Sequence, residues 1–163
     1  MSRQEDAGES ALAMMGDVAR NLHDVDIVIL LIIMNGHFHV VVLDNEMQEY
    51  MHHTSVVSKE YDRDAGEMRR LFDRCVDMDL DESTTANYPI VHDTNTPRQK
   101  RRSVDCAVYI IRFIEQLLDG EKLRVPQADV PYLRLKYVTG ILKEGSAAGI
   151  TDKGDSPTWA KKD

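Results

Sequence analysis

The side chains with the range for nucleophilic or acid-base chemistry near neutral pH are two cysteines and six histidines. Cys106 opens the segment "CAVYIIRFIEQLLDG", in which Val108, Ile110, Ile111, Ile114, Leu117 and Leu118 fall at helical spacing and Gly120 closes the run. At the first turn of a helix the unpaired backbone N–H groups and the helix dipole favour an anion, and the thiolate is the nucleophilic form of cysteine. Lys100, Arg101 and Arg102 push the same way if they fold close to the sulfur. The competing reading is a small apolar residue in a buried helix, since unpaired cysteine is among the most buried types. Cys75 lies with Phe72 and Val76 on the apolar stripe of a charged segment and reads as core.

A thiol needs a base, and histidines are concentrated in "NGHFHVVVLDNEMQEYMHHT". A two-residue turn at Asn45-Glu46 would set His37 opposite Thr54 with His52 diagonal to it, and put His37, His39 and His52 on one side of a hairpin. One such imidazole could serve a thiol as general base. Three together could instead hold zinc or iron. His23 and His92 have only loop or strand-end surroundings.

The elements that must position these groups follow from patterning. Two β-branched runs, "IVILLIIM" and "HFHVVVLD", flank Asn35-Gly36, a favoured tight-turn pair, and a third strand follows Asp44-Asn45-Glu46. An amphipathic helix is expected from Asp62 to Met78, a loop from Asp79 to Asn87, a short strand in "YPIVHD" and a polar, basic loop in "TNTPRQKRRSV". A last helix fits Val130 to Lys143 with Pro131 in its first turn, and a short helix from Ser10 to Leu22. The expected organisation is a loose segment over 1–22, one compact domain over 23–144 and a disordered tail over 145–163.

With 163 residues, 42% of them hydrophobic, the chain has the size and apolar content of one domain. A net charge of −8 argues against nucleic acid or an anionic membrane as partner. The apolar run Ile27–Met34 is far short of the roughly 20 residues that span a bilayer, and acidic residues near the start do not suit a secretory signal. The cysteine spacing makes neither a disulfide framework nor a thiolate zinc site. These features predict a monomeric intracellular protein of nucleus or cytoplasm, with "RQKRR" either a solvated loop or an import signal.

"GHFHVVVLD" resembles the histidine strand of the ubiquitin-like-protein-specific cysteine proteases, the group that includes the SUMO proteases and the adenovirus-type peptidases. "DCAVYIIRFIEQLL" resembles their nucleophile segment, and the wording is most similar to copies in plant genomes, some carried by transposable elements. The resemblance covers about residues 25–120. It implies an α+β, papain-like or adenain-type fold, with a small antiparallel or mixed sheet packed against the helix that starts at Cys106. It also implies hydrolysis after the Gly-Gly end of SUMO or another ubiquitin-like protein, without metal or organic cofactor. Cys106 then matches the nucleophile, His37 the general base, Phe38 the aromatic residue over the channel for the tail, and Asp105 the acidic residue before the nucleophile. Gln99 matches the oxyanion glutamine with a one-residue offset.

Three departures stand against full activity. The family's orienting Asp or Asn follows in a "Tyr-x-Asp" setting, where "Tyr50-Met51-His52" places His52. Ala107 replaces the glycine after the nucleophile, which costs something if that position needs positive φ. The usual Trp-Leu motif upstream of the histidine is missing, as in a copy truncated on its amino side. Two alternatives stay open: an impaired or dead relative that at most binds a ubiquitin-like protein, and a His-rich metal-binding protein.

Overall fold

The computed structural model describes residues 18, 20–79 and 85–147. Most of the helix expected over Ser10–Leu22, part of the 79–87 loop and the tail beyond Ala147 lie outside the described residues. Two compact units divide at Gln127, and the first holds the sheet and both helices described next.

β1 (Ile27–Met34), β2 (His37–Asp44), β3 (Glu49–Thr54) and β4 (Ile90–His92) form a sheet in the order β1-β2-β3-β4. The first three run antiparallel, and β4 runs parallel to β3. Met34 pairs with His37 across Asn35-Gly36, whose φ values of 51° and 74° are the positive ones a tight type I′ turn requires. The hairpin of β1 and β2 is therefore written locally in the sequence.

The next turn differs from expectation. Asp44 pairs with Glu49, so the turn runs from Asn45 through Gln48, with Gln48 at φ 55°. Side chains set this length: Asp44 Oδ1 accepts from the Met47 N–H at 2.8 Å, and the Asn45 amide donates to the carbonyls of Leu22 and Val25 at 2.8 and 2.7 Å. The pairing is His39 with Thr54 and Val41 with His52, two residues from the register expected of the shorter turn. An even shift leaves every side chain on its face, because sheet faces alternate with period two.

α1 (Lys59–Asp79) begins three residues before the expected start. It packs Ala65, Phe72 and Val76 on the face formed by Val28, Leu30, Ile32, Val41, Leu43 and Tyr50. Along the chain direction from Leu43 back to His37 that same face turns from aliphatic to imidazole, with His39 and His37 buried beside it. α2 (Cys106–Leu118) lies against β2, with Tyr109, Ile110 and Phe113 buried. The layers thus bring the histidine end of β2 and the first residue of α2 to one end of the domain. In the second unit α3 (Val130–Ala147) runs past its expected end at Lys143 and through Gly145.

Candidate active site

A cleft of about 370 Å³ opens between the β1–β2 turn, α1 and the start of α2, and its walls include His37, Phe38, Tyr61, Gln99, Cys106 and Ala107. A larger depression of about 690 Å³ along α1 is lined by Glu67, Arg69, Arg70, Leu71, Asp73, Arg74 and Ala86. It holds neither thiol nor imidazole, whereas the smaller cleft is lined by both.

Cys106 is the first residue of α2, and its sulfur lies 3.9 Å from the carbonyl oxygen of Gly36, next to His37 in the chain. Ala107 is the second helical residue and has no positive φ; in this loop the left-handed conformation falls on Arg102, at φ 65°. The methyl group of Ala107 therefore meets no backbone restriction. Asp105 precedes the helix without capping it through its side chain, and it does not line the cleft.

His37 is buried, and its Nε2 lies 3.0 Å from Thr54 Oγ1. That hydroxyl lies 2.9 Å from the Val56 carbonyl and 3.3 Å from the Val56 N–H. A hydroxyl has one proton and two lone pairs. Its proton goes to the Val56 carbonyl, so His37 must donate from Nε2, and Nδ1 keeps the lone pair a base requires. The Tyr61 ring stacks on the imidazole at 4.1 Å between centroids and 21° between planes. Burial lowers the His37 pKa below the usual histidine value, which keeps the ring neutral at pH 7.

His52 does not occupy the orienting place assigned to it. Its Nε2 lies 2.9 Å from His39 Nδ1, two residues along from His37, because the longer turn shifts β3 by two positions. Thr54 takes that place instead. Sequence reasoning set Thr54 opposite His37 but gave it no role, and it missed Tyr61; the turn length would have put Thr54 in the diagonal place, and no local signal marks Tyr61. His37, His39 and His52 share a face without converging on a metal: Thr54 holds His37 Nε2, and the other two rings bond each other.

Gln99 is strapped into the cleft wall. Its N–H donates to the Ser55 carbonyl at 3.1 Å, its Oε1 accepts from Ser55 Oγ at 2.9 Å, and its Nε2 donates to the Ser103 carbonyl at 2.8 Å. An amide nitrogen carries two N–H donors, so the strap leaves a second for the cleft.

Residues 11–148 match the family model described as Ulp1 protease family, C-terminal catalytic domain. Among curated proteins none matches. Solved structures are similar at low identity. The C-terminal Ulp1 protease domain in complex with Smt3, the yeast ortholog of SUMO, aligns at 15% identity and TM-score 0.58, over 69% of this chain and 50% of that one. SUMO protease Ulp1 with its catalytic cysteine oxidised to a sulfenic acid gives 15% and 0.58, over 72% and 56%. The Ulp1-like SUMO protease catalytic domain of Chaetomium thermophilum gives 20% and 0.55, over 75% and 47%. The chain therefore spans about half the length of the structures it matches, and at these identities the likeness is one of fold.

Proposed function

This chain belongs to the Ulp1 protease family, C-terminal catalytic domain, and on that premise we propose that it is a cysteine peptidase acting after the Gly-Gly end of a ubiquitin-like modifier, SUMO first among them. The observation that carries the reading is the shared cleft of Cys106 and His37, with the imidazole held by Thr54 in the tautomer a base requires.

In this reading Cys106 Sγ attacks the glycine carbonyl while His37 Nδ1 takes the thiol proton. The tetrahedral oxyanion is met by backbone N–H groups at the start of α2 and by Gln99 Nε2. His37 then returns its proton to the leaving amine, and a thioester to Cys106 remains. A water molecule, deprotonated by His37, hydrolyses the thioester and restores the thiol. Phe38 and Tyr61 flank the cleft and restrict it to a narrow chain such as a diglycine tail.

The test is covalent labelling with SUMO carrying a vinyl sulfone at its carboxyl end. Modification of Cys106 is expected, and failure of the folded protein to react with SUMO or ubiquitin probes would overturn the reading. Thr54, a hydroxyl where an orienting carboxylate or amide would strengthen the base, favours a second reading: a domain that holds the modifier without turnover. Binding of unmodified SUMO without probe labelling marks that outcome.

A further inference from the structure

Away from the cleft, three donor atoms from three different elements converge. His52 Nδ1, on β3, lies 2.9 Å from His92 Nδ1, on β4, and the two residues face each other in the parallel ladder. Asp62 Oδ1, in the first turn of α1, lies 3.2 Å from His92 Nδ1 and 3.6 Å from His52 Nδ1. Two N–H groups cannot point at each other across 2.9 Å, so at least one imidazole presents a lone pair here.

Those separations match the edges of a coordination polyhedron. Bonds of about 2.0–2.1 Å to a tetrahedral zinc ion place its ligand atoms about 3.3–3.4 Å apart. The observed edges of 2.9, 3.2 and 3.6 Å straddle that range, so shifts of a few tenths of an ångström complete the triangle. We propose that His52, Asp62 and His92 form a binding site for a divalent cation of borderline softness, zinc being the type case, with a fourth position open to water.

The surroundings suit the role. The His52 side chain is fully buried, while those of Asp62 and His92 are 38% and 42% exposed, so an ion reaches the site from solvent and meets a fixed inner ligand. His52 uses its second nitrogen, Nε2, against His39 Nδ1 at 2.9 Å, the outer-shell bond that fixes the tautomer and ring orientation of a ligating histidine. Two imidazoles and a carboxylate are a donor set for zinc and its first-row neighbours rather than for calcium or magnesium.

Zinc content and thermal melting of the full chain test the site. One zinc per chain is expected to remain after dialysis, with zinc raising Tm and cobalt giving the intense visible absorption of a tetrahedral complex. His92→Ala and Asp62→Asn, both at half-exposed positions, should each weaken binding at least about tenfold, the lower bound for disturbing even an outer-shell partner. Cys106→Ser should leave stoichiometry and affinity unchanged, which separates this site from the catalytic thiol. Absence of zinc binding by the wild-type chain, or binding lost with Cys106→Ser and kept in both ligand variants, would overturn the proposal.

Discussion

His37 and Thr54 are joined at 3.0 Å through a hydroxyl whose own proton is committed to the Val56 carbonyl. Thr54 therefore selects the tautomer of His37 and fixes its ring, but it brings no negative charge to stabilise the imidazolium that forms when the base takes a proton. This separates two contributions a carboxylate makes together.

Thr54→Asp should restore the second contribution. A carboxylate beside Nε2 favours the charged ring, so the depressed His37 pKa rises and the acid limb of kcat/KM moves to higher pH. Turnover of a SUMO-coumarin substrate at neutral pH should increase about tenfold or more, within the range of general-base effects. An unchanged rate with an unchanged acid limb would show that His37 is not the base.

The two thiols should behave oppositely. Cys106→Ser should abolish probe labelling, since a serine hydroxyl beside a neutral imidazole is a far weaker nucleophile. Cys75 is buried in α1. Its replacement by serine should leave labelling intact and cost about 1–3 kcal/mol of stability by burying a hydroxyl. Labelling that follows Cys75 in intact-mass and peptide analysis would move the nucleophile.

Tyr61 acts on His37 by covering it. Tyr61→Phe keeps the stacked ring and should keep activity. Tyr61→Ala admits water to the imidazole and raises its pKa toward 6.5, which moves the acid limb up in pH. Loss of the stacked pair should also cost about 0.5–1.5 kcal/mol of stability. Equal pH profiles for the two variants would remove Tyr61 from the site.

What the sequence discloses and what it withholds divide along contact range. Asn35-Gly36 announces its hairpin because positive φ at both positions is a local requirement, and the start of α2 at Cys106 is visible in its apolar spacing. The faces of β2 and β3 were also legible, since parity survives an error of two residues in register. That Thr54 rather than His52 orients His37 was not, because the Asn45–Gln48 turn is set by bonds from Asn45 to Leu22 and Val25, remote from the pattern of the strands. Tyr61 over His37, and Asp62 beside His92, depend on how a helix docks on the sheet and on a parallel pairing between distant segments. No spacing rule reaches those.

The histidine-lined end of the sheet should make stability fall with acid. Burial lowers the pKa values of His37 and His53, and lowers His39 to about 4 and His52 to about 3. In the unfolded chain each titrates near 6.5, so between that value and the folded one the unfolded state binds more protons. Stability is then whole above about pH 6.5 and is lost as pH falls toward 3–4, by about 1.4 kcal/mol per pH unit for each histidine that must stay neutral. His39 and His52 alone, shifted furthest, would remove about 3 kcal/mol per unit across the middle of that window, a large part of an ordinary domain's stability. Urea unfolding at pH 7, 6 and 5 reads this directly as a falling midpoint, with the slope m unchanged. A midpoint that is flat over the window would mean that these rings take up protons in the folded state, contrary to their burial.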